Sequence, residues 1–286
     1  SLNIQLEAGG LKILIISGSH TRHLFVNKAI VNSGAKCAAI VMEREGLNPD
    51  IPLNLAKIDK DNFIRHFADR DAVESRAFGN LAIEPTFGEI QTLRCNSDTL
   101  NSQDSVNFVK DFSPDLCFVF GPDLIKNPLL RVLPDESINL HLGLSPWYRG
   151  SATLFWPFYF LQPQYAGATF HKVIKEADAG SILHQCIPNL KAGDGVHDVA
   201  ANTVIKAKEE VVLLLKHYLY EKKWIYKDQT FTGKLFLTCD FEPIHLRILY
   251  NLYDNNIVDA YLKGELGLRT PKLVNFFDNF KISQSN

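Results

Sequence analysis

The stretch Ser137-Ile-Asn139-Leu-His141-Leu-Gly143-Leu-Ser-Pro146-Trp-Tyr-Arg149-Gly-Ser-Ala152, continued by Gly167-Ala-Thr169-Phe-His171-Lys-Val-Ile-Lys-Glu-Ala177-Asp178-Ala-Gly180-Ser-Ile182, decides how the rest of the chain is read. Ser137 to Leu140 has strand character, so Asn139 and His141, two apart, point to one face. Gly143 and Pro146 end that strand and leave His141 at its carboxyl end, where open α/β sheets place their ligands. Gly167 to Ile174 alternates small or polar with apolar groups and reads as another strand. Lys175 to Gly180 is then a loop able to carry Asp178 back towards His141. Converging on one point, an amide, an imidazole and a carboxylate would orient an amine, stabilise an oxyanion and move a proton, with no Ser or Cys nucleophile. Singly, each has a plainer reading: Asn at a strand end and Asp-Ala-Gly are turn formers, and a lone His is an ordinary core or surface group. The ordered combination is what makes a site.

That combination resembles a known family. Asn-x-His, a Pro five residues after the His, Tyr-Arg-Gly, then Gly-x-Thr-x-His followed by Asp-x-Gly-x-Ile is the pattern of the folate-dependent formyltransferases. The family includes glycinamide ribonucleotide, methionyl-tRNA and sugar-nucleotide N-formyltransferases. The resemblance is close from about residue 115 to 205 and looser over residues 11–45. It implies an α/β fold, a Rossmann-like open twisted sheet of the formyltransferase type, and transfer of a formyl group from 10-formyltetrahydrofolate, as co-substrate, to a primary amine. It assigns the catalytic trio to Asn139, His141 and Asp178. His141 and Asn139 would donate to the oxyanion, and Asp178 would orient His141 and relay the amine proton. One departure stands out. Where the family has His-Pro-Ser-Leu-Leu-Pro, this chain has His141-Leu-Gly-Leu-Ser-Pro146, so the acceptor contact of the usual serine is not carried over.

The bulk properties narrow the class. With 286 residues, 46% of them hydrophobic and 22% charged, the chain buries an ordinary core as one domain with an extension, or as two domains. A net charge of −2 argues against a broad nucleic-acid footprint. Five scattered cysteines with no Cys-x-x-Cys pair read as reduced thiols of a cytoplasmic protein with no metal site. No apolar run reaches the roughly 18 residues of a membrane span, and the first ten residues read as a weak leader.

From the N-terminus, Leu11 to Ile16 is a buried strand, and Ser17 to His23 is a loop opening a helix to about Ser33. A Gly-containing turn there, with Ser19, Thr21 and Arg22 nearby, is either an anion site on free helix N–H groups or a plain β–α turn. In the purine member of the family the matching loop holds the substrate phosphate, although here His20 replaces the expected small residue. Cys37 to Met42 is the second strand. Lys57 to Phe78 patterns as an amphipathic helix with an apolar stripe of Phe63, Ile64, Phe67, Ala68 and Ala72. Asp115 to Phe120 is a central strand. The loop after it carries Leu124, Ile125 and Lys126, which the resemblance places on a pterin pocket, Lys126 through its backbone; by residue type alone Leu124 and Ile125 are equally ordinary core. Ala177 and Asp178 would supply the other wall. Ala152 to Leu161 reads as an aromatic helix, either fully packed or in a subunit contact such as a homodimer's. Arg149 would hold an anionic acceptor or pair with a carboxylate. His171 is assigned to supporting the catalytic residues or to the wall of the site rather than to direct catalysis, and His184 and His197 to structure.

Gly193 to Tyr220 opens a long helix that closes a catalytic domain of residues 1–223. The remaining 224–286 form a small α+β extension, with a hairpin pairing Trp224 to Tyr226 with Leu235 to Thr238, a helix over Asn256 to Lys263 and a frayed tail beyond Lys281. Residues 222–286 hold nine Lys/Arg against seven Asp/Glu, too small a margin for a tRNA-binding domain. The expected acceptor is therefore a small amine, an amino sugar on a nucleotide. Glycinamide ribonucleotide or methionyl-tRNA formylation is the second reading, and a non-catalytic folate-binding protein is a third.

Overall fold

Apart from Lys12, residues 11–16 carry no polar side chain, and in the computed structural model this run becomes the centre of a sheet with helices on both faces. The structure describes residues 10–46 and 48–284, so the leader read over residues 1–10 lies, apart from Gly10, outside the described residues. The strands are β1 (Lys12–Gly18), β2 (Lys36–Met42), β3 (Gln91–Cys95), β4 (Leu116–Phe120), β5 (Ser137–His141), β6 (Tyr148–Gly150), β7 (Ala168–Lys172), β8 (Ile182–Cys186) and β9 (Lys234–Phe236). The helices are α1 (Thr21–Val31), α2 (Lys57–Phe78), α3 (Ile83–Phe87), α4 (Gln103–Phe112), α5 (Leu129–Val132), α6 (Trp156–Tyr159), α7 (Val196–Glu221) and α8 (Ile257–Leu262). Seven strands form one open sheet in the order β3-β2-β1-β4-β5-β7-β8. The first five are parallel, and β7 and β8 are antiparallel.

Alternation along each strand sorts the core into two layers. Ile13, Ile15, Phe118, Ile138 and Phe170 face α1 and α7, where they meet Leu24, Ile30, Val204 and Leu214. Leu14, Ile16, Ile40 and Val119 face the other side, against Val109 and Phe112 of α4. Strand order reverses between β1 and β4, which opens a crevice at their carboxyl ends. Because Ile138 and Leu140 belong to the α1/α7 layer, Asn139 and His141 turn the other way along the same strand.

Three local expectations are corrected. The aromatic stretch is helical only over Trp156–Tyr159, because Ala152 (φ 54°) and Leu161 (φ 56°) take left-handed backbone at its two sides. The face α2 buries carries Asp59, Asn62, Phe63 and His66, whereas Ile64 of the expected stripe is 46% exposed. The two arms of the expected hairpin do not pair. Lys227 bridges Ile182 of β8, and β9 runs parallel to β6, so each segment completes an edge already present in the rest of the chain. The tail winds as a 3₁₀ helix over Phe276–Gln284, and Phe276 is buried in the α1/α7 core.

Residues 224–284 are tied in by packing and polar contacts. The Phe236 ring stacks on Tyr148 (5.8 Å) and Trp156 (4.9 Å), in an aromatic cluster with Phe63, Phe155, Leu246, Leu249 and Ile257. Trp224 Nε1–H donates to the Leu214 carbonyl at 3.1 Å, and Arg247 grips Asp59 of α2 through two bonds of 2.7 and 2.8 Å. Phe236→Ala is expected to cost about 3–5 kcal/mol in denaturant unfolding, still in a single transition. A cost below about 1 kcal/mol, or two resolved transitions, would place this segment outside the cooperative unit.

Candidate active site

The register of β5 against β7 sets Asn139 directly opposite His171. Their side chains meet, with Asn139 Nδ2 3.2 Å from His171 Nε2. After β7 the chain folds back over β5 and brings Asp178 to both imidazoles. Asp178 Oδ1 lies 3.2 Å from His171 Nε2, and Oδ2 lies 3.4 Å from His141 Nδ1. Gly150 N–H donates to Oδ2 at 2.9 Å. The three residues named from the motif therefore come together, and His171, which also lines the cavity, touches both Asn139 and Asp178. Both His141 nitrogens are engaged, since Nε2 lies 2.9 Å from the Tyr148 carbonyl and donates to it.

Asp178 is held in place by several segments. Its backbone is left-handed (φ 49°), a region Asp tolerates better than most residues but one that needs support. Arg149 Nη2 donates to the Ala177 carbonyl at 2.9 Å, and Gln229 Nε2 donates to the carbonyls of Asp178 (2.9 Å) and Gly180 (3.0 Å). A Cβ on Gly180 would overlap the Lys172 carbonyl, so only glycine lets the loop lie this close to β7. Thr169 fixes the opposite turn. Its hydroxyl donates to the Gly143 carbonyl (2.7 Å) and accepts from Ser145 N–H (3.0 Å). Burial by itself would raise the Asp178 carboxyl. The charge of His141, the His171 hydrogen bond and the Gly150 N–H outweigh it and hold the group well below the usual carboxylate range.

This cluster lines a cavity of about 800 Å³ that reaches to both sides of the carboxyl edge of the sheet. One side is largely apolar and rich in main chain, made by Val119 to Ile125 at and beyond the end of β4 and by Val173, Ile174 and Ala177. Leu124 and Ile125 line it, Leu124 with 42% of its surface exposed and Ile125 buried. Lys126 does not reach it. Its N–H goes to Asn101 Oδ1 (2.7 Å), while Asn101 Nδ2 takes the Leu124 carbonyl (3.1 Å). The other side is polar and aromatic, with Arg22, His66, Arg70, Glu74 and Phe155 joined by His197 at the start of α7.

The β1–α1 turn behaves differently from a plain anion loop. His23 of α1 packs its ring against Gly18 and Gly121, where a Cβ on either glycine would overlap it, and edge-on to Phe120 at 4.8 Å. The crevice at the strand-order reversal is thus filled by an imidazole. Ser19 accepts from Arg44 N–H at 3.1 Å, and neither Ser19 nor Thr21 lines the cavity, whereas Arg22 does. Arg149 points to the Ala177 carbonyl instead of into the cavity. His184 pairs with Glu210 at 3.3 Å away from the site, but His197, read from sequence as structural, lines the cavity with a buried Nε2 that has no partner. His66, Arg70 and His197 escaped the sequence reading. The one signal was the recurrence of polar residues at 59, 62, 66 and 70, a helical spacing with no reason to be buried unless it faces something polar.

An open α/β sheet with a carboxylate, two imidazoles and an amide gathered at its carboxyl edge, beside a cavity of about 800 Å³, is the setting of a small-molecule site. A family model described as formyl transferase matches residues 29–215, more than half of the chain, and the chain belongs to that family. Among solved structures it is similar to a 4-N formyltransferase from Francisella tularensis, with 17% identity, 81% of this chain and 78% of that chain covered, and a TM-score of 0.53. A phosphoribosylglycinamide formyltransferase from Anaplasma phagocytophilum gives 18%, 80% and 98%, and 0.52. The N-formyltransferase from Helicobacter canadensis in complex with folinic acid and dTDP-3-aminofucose gives 15%, 85% and 82%, and 0.52. At these identities the likeness is one of fold. Among the described residues no helix is long and apolar enough to cross a membrane.

The depressed Asp178 carboxyl has a consequence for stability. A group whose pKa is lower folded than unfolded stabilises fully above the unfolded value, near 3.8, and loses that contribution as pH falls below it. Asp178→Asn is therefore expected to be less stable than the parent by about 2 kcal/mol at pH 6, with the gap closing progressively below pH ~4. A gap independent of pH between 6 and 3 would show that the carboxylate charge is not what the imidazoles hold.

Proposed function

We propose that the protein transfers a formyl group from 10-formyltetrahydrofolate to the primary amine of an amino sugar carried on a nucleotide. The observation that carries this reading is the position of the Asn139–His171–Asp178–His141 cluster, where an apolar, main-chain-rich wall and a polar, cationic wall share one cavity. A pterin ring suits the first wall, where Leu124, Ile125 and Ala177 supply apolar contact and main-chain groups. The amine acceptor enters from the second. The Helicobacter canadensis structure, with a folate and an amino-sugar nucleotide together on the same fold, supports this pairing.

The co-substrate supplies an activated formyl carbon, and the residues of this chain do the rest. Attack by the amine places negative charge on the formyl oxygen. Asn139, at the end of β5, presents an amide N–H for it. His141 contributes a second donor if its Nε2–H exchanges the Tyr148 carbonyl for the oxyanion, a change of partner at one hydrogen bond. Asp178 stays ionised, so it attracts the ammonium charge that develops on the attacking nitrogen and passes that proton, directly or through a water, towards the departing folate nitrogen. His171 Nε2 lies between the other carboxylate oxygen and the Asn139 amide, and its Nδ1–H donates to the Lys172 carbonyl. We also propose that residues 1–223 and 224–286 form a catalytic unit and an extension, the extension acting through Gln229 on the Asp178 loop and through Phe241 and Pro243 on the acceptor side of the cavity.

The reading is tested by incubating the protein with 10-formyltetrahydrofolate and, in parallel, sugar-nucleotide amines, glycinamide ribonucleotide and charged initiator tRNA, scoring products by mass. A formamido sugar nucleotide is expected; formylation of either other acceptor alone would reassign the substrate. Asp178→Asn should lower turnover by about 10³-fold or more and Asn139→Ala by about 10²–10³-fold, both with folate binding still measurable by titration. Undiminished turnover in Asp178→Asn would remove the carboxylate from the mechanism.

A further inference from the structure

The cavity wall made by α1, α2 and the first turn of α7 carries positive charge that the reaction does not use. Arg22 and Arg70 both line it. Glu74 takes the Arg22 Nε at 2.8 Å, which leaves Arg22 Nη2 buried with no partner. The Arg70 guanidinium lies 4.8 Å over the Phe67 ring and bonds to Asn48 Oδ1 at 2.6 Å, so it is fixed in direction. Glu74, which also lines the cavity, is the carboxylate bonded to Arg22. Asp50 lines the cavity from the loop before α2, and Asp71 accepts from Asn48 on the exposed side.

The neighbouring imidazoles respond to the same field. His197 lies with its ring 4.4 Å from that of His66, is only 8% exposed, and has a buried Nε2 with no partner. Burial first, and then the Arg70 charge, lower it to about 4, and His66 is pushed well below its usual value by burial, His197 and Arg70. These rings are therefore neutral at pH 7, and the guanidiniums carry the charge of the wall. Arg22 Nη2 and His197 Nε2 are buried polar atoms without a partner, on two residues that line the cavity, and a folded protein leaves such groups unbonded at a cost.

We infer that Arg22 and Arg70 form a phosphate subsite on this wall, which holds the phosphate groups of the acceptor while its amine reaches Asp178. This rests on the reading of the acceptor as a nucleotide-linked amine and names the residues that recognise it. Planar guanidiniums in a partly desolvated setting bind phosphate oxygens through paired N–H donors, and a tetrahedral dianion satisfies both at once. The site lies on α2 and the second residue of α1. It is separate from the main-chain turn at Ser17 to Ser19, whose crevice His23 fills.

The test is calorimetric titration of the full-length protein with inorganic pyrophosphate, without folate, in wild type and in Arg70→Gln, Arg22→Gln, Glu74→Gln and Glu89→Gln. Saturable binding at one site, with Kd below about 1 mM, is expected. Arg70→Gln and Arg22→Gln should weaken it at least tenfold. Glu74→Gln, which frees Arg22 of its carboxylate, should strengthen it several-fold, and the exposed Glu89→Gln should leave it unchanged. A merely structural role for Arg22 and Glu74 would not give effects of opposite sign, and the Arg70 and Glu74 variants decide the matter if Arg22→Gln fails to fold. No saturable binding, or equal binding by all variants, overturns the subsite. Because the titration involves neither folate nor turnover, its failure beside observed sugar formylation refutes the subsite alone. Intact pyrophosphate binding without formylation of any amine refutes the functional reading alone.

Discussion

The carboxylate of Asp178 is the fixed point of this structure. It is largely buried, sits on left-handed backbone, faces one ring nitrogen of each of two imidazoles and accepts from a main-chain N–H. A buried carboxylate is costly unless its lone pairs are met, and here the partners come from β5, β7 and the β6 segment. Each is delivered by a different feature of the fold. The β5–β7 register supplies Asn139 and His171, the glycine at 143 leaves room for the His141 ring, and β6 presents the Gly150 N–H. Arg149 and Gln229 do not line the cavity; they hold the loop that carries the carboxylate.

That arrangement explains why the C-terminal segment is integral to the site. β9 pairs with β6, the strand that carries Gly150, and a Cβ on Gly233 would overlap the Pro146 carbonyl, so the segment presses directly on the turn between His141 and Gly150. Phe236 packs between Tyr148 and Trp156 from the same direction. Residues distant in the chain thus set the position of the carboxylate by packing, and the aromatic cluster is the mechanical link.

Much of this was legible in the sequence. The central strands announced themselves as apolar runs, because a strand covered on both faces needs no polar positions. The meeting of Asn139, His141 and Asp178 was legible because their order and spacing match the motif of a family. The polar wall was not. His66, Arg70 and His197 lie far apart in the chain, and no local rule separates an Arg on a solvated helix face from one turned into a cavity. The arms of the expected hairpin each had strand-forming residues and a turn between them, yet the edges of β6 and β8 offered better partners than the arms offered each other. Ala152 to Leu161 failed as a helix because left-handed backbone at an alanine and a leucine has no signature in residue type. Lys126 was placed on the pterin wall by resemblance, but a side chain from another loop, Asn101, takes up its N–H.

The central claim is that one carboxylate organises both imidazoles. It is tested most directly by the ¹⁵N resonances of the His141 and His171 rings, recorded at one pH in the wild type and in Asp178→Asn. The account predicts that both rings shift when the carboxylate becomes an amide, since each loses a charged acceptor. If both sets of resonances stay where they are, Asp178 touches neither ring in solution, and the site as described does not exist.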